Sequence, residues 1–440
     1  MRTGALLLFL LSGAAAGEEW VDGRVTTTWQ LFQQSLVPGL PGGVVRVETA
    51  SPVTLGAFMR FGGGTVGSLD GELSGELAAW GRVGPLDGTV SDGDLATAWV
   101  RFATRKLRVK LGRQLALPGS ARYVRFDGGS VGTTLLDALD LDAYAGWVVL
   151  PRWSLPRGAA LAGFVTDALV DPSLVEAQNR AGQITWGARA QLHRGTWQAA
   201  LAYHEQYDFS GLAYRVVAAD ARVGLTERAF AGGRLTFDTT RAAFSEARLY
   251  VDLATPWLPV SADYSYQNPS LLLPGTSVLA AFGGSPWHEL GADATLTLLQ
   301  SFKLTGRAAA QMFEGNELGG RASVKASWVP ELDRRGLVLA ELGRDLAPPS
   351  GFTFVRAAGR FRLAEVLWLS GDGAVYFYDQ PIRGQSRSIT GIASLEWTPL
   401  PRVRAVLSGT AMSTPWSAFE TQLMAKLAID LGTRREGATP

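Results

Sequence analysis

The sequence predicts an all-β fold, a single transmembrane antiparallel β-barrel of about 18 to 22 strands that closes on itself. Three observations predict it. From about residue 20 to residue 431 the chain keeps returning to roughly ten residues of apolar–polar alternation, each run ended by a turn. The chain has 440 residues and no cysteine, so neither disulfides nor cysteine-ligated metals organise it. It begins with the pattern of an export signal: Arg2, then the apolar stretch Ala5 to Leu11, then Ala14-Ala15-Ala16 before Gly17. Residues 1–16 therefore read as a cleaved signal peptide, 17–432 as the barrel and 433–440 as a polar tail. The apolar stretch of the signal is too short to span a bilayer, and no later segment reaches about 18 continuous apolar residues.

The alternation gives each strand one greasy and one wet face, because successive side chains point to opposite sides of a sheet. Val21, Gly23, Val25, Thr27, Trp29 and Leu31 form the greasy phase of the first strand. The stretch from Val44 to Phe61 is one bent strand or two short ones around Ser51-Pro52, since proline cannot donate to a ladder. Leu69–Val83, Leu95–Ala103 and Leu107–Arg113 follow, the last two joined by a tight turn at Thr104-Arg105-Lys106. Strands are expected near Gly128–Leu136 and Leu141–Val149. Residues 150–182 carry no clear period and read as a long loop with a short helix around Ser173–Asn179.

Hairpins then come quickly. Ile184–Leu192 and Trp197–Tyr203 flank a turn at Arg194-Gly195. Val217–Leu225, Ala229–Phe237, Phe244–Leu253 and Val260–Tyr266 precede a second long loop at 268–286. Beyond it lie Leu290–Leu298, Phe302–Met312, Leu318–Trp328, Leu337–Gly343, Val355–Phe361, Leu367–Phe377, Ile389–Trp397, Val403–Ala411 and Phe419–Leu431. Phe419, Leu423, Leu427 and Leu431 also repeat at helical spacing. Thr421, Ala425 and Ile429 complete a strand phase, so a strand is expected there too.

Three turns share an aromatic-x-Pro signature: Trp257-Leu258-Pro259, Trp328-Val329-Pro330 and Trp397-Thr398-Pro399. An even number of strands separates them, which places all three on one side. Trp favours the membrane–water boundary, so Trp257, Trp328 and Trp397 are candidates for an aromatic girdle. The two long loops fall on the opposite side, the pattern of short periplasmic turns and long external loops.

The wet phase between residues 303 and 362 carries Lys303, Arg307, Arg321, Lys325, Arg356, Arg360 and Arg362 on strands expected to be neighbours. A basic stripe lining water would concentrate anions. Asp220, Asp263, Asp293, Glu396 and Glu420 share the same phase and could balance it.

Other chemistry finds little support. A formal charge of +1 gives no nucleic-acid footprint. The only histidines that could pair with a nucleophilic serine are His193, His204 and His288, and no G-x-S-x-G elbow stands out, so no enzyme is expected. Gly62, Gly64 and Gly67 match a dinucleotide spacing but lead into a strand and not a helix. Asp92-Gly93-Asp94 reads as a solvated turn, because it lacks the rest of a calcium loop. Neither a cofactor nor a metal is expected.

Two short motifs carry a resemblance. The sequence around Gly112, Arg113 and Gln114, and again around Phe126, Asp127 and Gly128, resembles Gram-negative outer-membrane porins of the porin and alginate-export type. It departs from them in ending on a polar tail and not an aromatic strand end. The resemblance implies a passive or substrate-selective channel in a Gram-negative outer membrane and does not identify the solute; small hydrophilic solutes are expected, and the basic stripe adds anions among them. Outer-membrane lipid and the barrel assembly machinery would be its partners. The alternative expectation is a non-conducting barrel that serves other envelope proteins as an assembly or attachment partner.

Overall fold

The computed structural model describes residues 20–36, 46–65, 71–84, 91–116, 124–149, 183–208, 211–271, 286–329, 336–346, 350–415 and 417–432. The signal-peptide segment, the 150–182 loop with its expected helix, and the polar tail lie outside them.

The chain forms one antiparallel sheet. Its first strands are β1 (Trp20–Leu36), β2 (Arg46–Ala50), β3 (Val53–Thr65), β4 (Gly71–Val83), β5 (Ser91–Thr104), β6 (Leu107–Ala116), β7 (Val124–Leu135) and β8 (Leu139–Val148). Then come β9 (Ile184–Arg194), β10 (Trp197–Asp208), β11 (Gly211–Gly224), β12 (Ala229–Asp238), β13 (Ala243–Leu253) and β14 (Val260–Gln267). The remainder are β15 (Trp287–Leu299), β16 (Phe302–Phe313), β17 (Leu318–Trp328), β18 (Gly336–Asp345), β19 (Phe352–Ala364), β20 (Leu367–Ile382), β21 (Gln385–Leu400), β22 (Val403–Ser413) and β23 (Ser417–Gly432).

From β3 onward each strand pairs with the next, and β23 returns to β1 over a register from Asp22↔Gly432 to Leu36↔Ser417. That last pairing closes the ring and leaves no edge. Both β2 and β3 pair with β1, at 32–36 and 20–29 respectively. They are two parts of one stave, parted at Ser51-Pro52, so the barrel has 22 staves. At a spacing of about 4.8 Å and a tilt of about 40°, such a ring encloses a backbone circle about 44 Å across.

The two faces follow the sequence. On β15, Leu290 is 65% exposed while its neighbour Glu289 is 5% exposed and Gly291 is buried. Leu290 belongs to the outward, apolar face. Leu31, Leu55, Leu111, Leu249, Leu342, Leu407 and Leu423 are likewise exposed. A continuous apolar exterior on a closed sheet is the surface that lipid requires, since every backbone donor within it is paired. The last segment is a strand. Its helical spacing yields to pairing with β22 and β1, which puts Phe419, Leu423, Leu427 and Leu431 all on the outward face.

Several boundaries move. Tight turns fall at Arg105–Lys106 and at Gly195–Thr196, where Gly195 takes the left-handed φ of 58°. Asp92-Gly93-Asp94 is not a solvated loop but the beginning of β5. Asp94 is held there by charge: it lies 2.8 Å from Arg125, and both side chains are buried.

Candidate functional site

The inner wall is the candidate site, and the strand register fixes what it contains. Lys303, Arg307, Arg321, Lys325, Arg356, Arg360 and Arg362 all lie on the inner phase of β16, β17 and β19, within four consecutive neighbouring strands. The acidic residues of the same phase sit directly among them. Arg307 reaches Asp263 and Glu289 at 3.0 Å each and Asp293 at 3.5 Å. Arg321 is 2.7 Å from Asp345 and 3.5 Å from Glu289. The Arg356 Nε donates to Asp372 at 2.9 Å. Glu396 bridges Arg360 and Arg404, each at 3.2 Å. Arg362 donates to the Glu365 carbonyl oxygen at 3.1 Å.

The arginines therefore form a ladder of ion pairs along the wall. Cross-strand geometry explains this. Facing residues have Cβ atoms about 5 Å apart, so a guanidinium on one strand reaches carboxylates one or two strands away. Lys303 and Lys325 differ: among the described residues neither has an ion-pair partner. Glu341 stands opposite Lys325 in the register but no salt bridge joins them.

The far wall is drier. Phe126 and His204 are fully buried although both point inward, and Tyr144 joins them. The Tyr144 hydroxyl and His204 Nδ1 share a hydrogen bond of 2.6 Å, and the Phe126 and Tyr144 rings are 5.3 Å apart. Nothing in this group resembles a nucleophile with its base. Among the described residues no cluster of metal-ligating side chains exists.

The Gly-Arg-Gln and Phe-Asp-Gly residues are brought face to face. Gly112 pairs with Gly128, Arg113 with Asp127, and Gln114 with Phe126. Arg113 grips Asp127 with two hydrogen bonds, at 2.7 and 2.8 Å. Gln114 donates to the Gly128 carbonyl oxygen at 3.1 Å and accepts from Ser130 at 2.8 Å. Gly112 has φ 115°, and a Cβ there would lie 2.2 Å from the Ala98 carbonyl oxygen. This geometry is that of a structural clasp between adjacent strands.

Trp257, Trp328 and Trp397 lie at the same rim, the side of the short turns, and are 62%, 46% and 50% exposed. The signal that sequence reading missed is a second aromatic level toward the opposite rim. Trp147, Trp186, Phe244 and Phe377 are exposed there on the outward face. Their alternation phase could have revealed them, but they lack the proline that marks the other three.

No protein-family model matches the chain, and no curated protein matches it. Solved structures with weak likeness include the P pilus usher PapC translocation pore, at 9% identity over 93% of this chain and 99% of that one, with a TM-score of 0.43. Acinetobacter baumannii OccAB4 has 10% identity over 95% of this chain and 99% of that one, with a TM-score of 0.46. Pseudomonas aeruginosa OpdK with vanillate has 12% identity over 94% and 98%, with a TM-score of 0.41. The architecture itself stands on the strand register described above.

Proposed function

We propose that this barrel is a porin-like channel of a Gram-negative outer membrane, admitting small hydrophilic solutes. The observation that carries the reading is the pairing of an apolar exterior with an inner wall of charged, partly exposed side chains. A ladder such as Arg307–Asp263–Glu289 is costly inside a packed protein core and tolerable beside water, which screens it. Export through the 1–16 signal peptide, insertion by the barrel assembly machinery and contact with outer-membrane lipid belong to the same reading. The girdle residues Trp257, Trp328 and Trp397 would then mark the periplasmic boundary.

Selectivity is a finer matter. Carboxylates offset most of the arginine charge, so a preference for anions would come from Lys303 and Lys325. The second reading, a non-conducting barrel that partners other envelope proteins, is favoured by the occluded inner wall around Phe126 and His204. Single-channel recording in a planar bilayer separates the two. Stepwise conductance supports the channel; a folded, heat-modifiable barrel without conductance supports the partner role.

A further inference from the structure

The two strands β19 and β20 carry an arrangement that the channel reading does not use. At the end nearer the long loops, Phe352, Phe354, Tyr376 and Tyr378 all point inward and are half-buried. Their rings touch: Phe352 to Tyr376 is 5.8 Å between centroids, Phe354 to Tyr376 5.9 Å, and Phe352 to Tyr378 6.5 Å. The Tyr378 hydroxyl is fixed by a hydrogen bond of 2.7 Å with Ser388.

The Phe354 ring leans over Gly343 of the neighbouring strand, where a Cβ would come within 2.2 Å of Cε1 and 2.4 Å of Cζ. The missing side chain of Gly343 therefore makes the room that the ring occupies on the inner wall. At the opposite end of the same two strands, Trp368 also points inward, with the Arg360 guanidinium 4.5 Å and the Arg362 guanidinium 5.9 Å from its ring. The Arg356–Asp372 pair lies between the two aromatic ends, and the Arg360–Glu396 pair lies beside Trp368. From Phe352 to Arg362 the track runs about 33 Å at about 3.3 Å per residue.

We propose that this wall binds neutral oligosaccharides. The inference rests on the channel reading for access to the lumen, and names its substrate class. A pyranose ring has an apolar C–H face that lies well on an aromatic ring, and a rim of hydroxyls. Each hydroxyl both donates and accepts a hydrogen bond. An ion pair such as Arg356–Asp372 offers a donor and an acceptor side by side, which suits a hydroxyl. It suits an anion poorly, because the carboxylate already occupies the fork that a solute carboxylate would take. An aromatic cluster at one end, an ion pair beyond it and arginines stacked on Trp368 at the other end fit an extended chain of sugars better than a single small molecule.

The test uses the whole barrel in a planar bilayer, with maltotriose and cellotriose as probes and glycerol and benzoate as controls. Either trisaccharide should interrupt the current, and glycerol should not. Phe354→Leu with Tyr376→Leu should weaken the block about tenfold while the unblocked conductance stays. Trp368→Leu alone, at the other end, should weaken it as well. Titration calorimetry on the detergent-solubilised barrel reads the same binding without current. A conducting barrel that neither trisaccharide blocks or binds, or whose binding ignores these substitutions, overturns the inference and leaves the channel intact. Block by benzoate alone overturns the substrate class. A barrel that binds trisaccharide in a variant-sensitive way but never conducts keeps this site and removes the channel reading.

Discussion

Arg113 and Asp127 meet across β6 and β7 as directly opposed residues, joined by two hydrogen bonds of 2.7 and 2.8 Å. The same guanidinium also donates to the Leu95 carbonyl oxygen at 3.0 Å and lies 3.5 Å from Asp94. One side chain thus ties three strands, β5, β6 and β7, together. Arg113→Ala should cost about 2 kcal/mol, because it removes two hydrogen bonds to Asp127 and one to the Leu95 carbonyl oxygen, while Asp94 keeps Arg125. Asp127→Asn should cost about 1 kcal/mol, since that side chain is partly exposed and water can replace the bond. Denaturant refolding into detergent or lipid, followed by gel mobility, reads both. Equal effects of the two changes would deny Arg113 its wider role.

The outward and inward faces of β15 should respond oppositely to charge. Leu296→Arg faces lipid and should impair insertion by roughly 2 to 4 kcal/mol if it lies near the midplane. Thr295→Arg meets the lumen and loses one hydroxyl contact of 2.9 Å with Thr305, which costs about 1 kcal/mol. Folding yield into vesicles compares them. Similar losses at the two positions would mean that the faces are misassigned.

Ion selectivity should depend on the lysines more than on the arginines. Lys303→Glu with Lys325→Glu adds negative charge where no partner offset the positive one. The reversal potential should move toward cations, most clearly at 0.01 M salt, where the Debye length is about 30 Å. Arg356→Gln should move it less than a single lysine-to-glutamate change, because it alters the charge of the wall by one unit and not two. An unmodified barrel that already prefers cations would remove the anion reading.

Gly343→Ala should disturb Phe354 before it disturbs the barrel. The added methyl takes the space of the ring, which must lift away from the wall. A loss of about 1 to 3 kcal/mol is expected from overpacking. Pairing it with Phe354→Ala should recover most of that loss, and the double-mutant cycle measures the recovery.

Much of the barrel was legible from alternation alone. The common side of the Trp-x-Pro turns and the inward phase of Arg307 or Arg356 follow from a period of two, and the irregularity at Ser51-Pro52 from proline's missing donor. Strand ends toward the long loops were not. β20 continues to Ile382 and β21 begins at Gln385, where residues such as Asp379 and Arg387 face outward and end the greasy phase. There the strands continue by backbone pairing, which leaves no hydropathy signal. The ion pairs were also out of reach. Whether Arg307 stands bare or beside Asp263, 44 residues away, depends on register, and the sequence names the phase of each strand but not its slide. Asp94 illustrates the same limit: its neighbour Arg125 comes from another strand altogether.

The meeting of β1 with β23 has a consequence for how the molecule is made. Arg24 and Asp430 form an ion pair across 406 residues, so the contact that completes the ring joins the first strand of the barrel to the last. Every earlier stage carries two raw sheet edges, which invite pairing with foreign strands. Loss of the final strand would leave an open sheet and not a slightly smaller barrel. Closure between such distant strands is expected to be slow by topology. In the finished ring the two ends lie side by side, and the order of staves no longer has a beginning. New ends cut at a tight turn such as Arg105–Lys106, with the old ones joined by a short linker, should yield the same closed barrel.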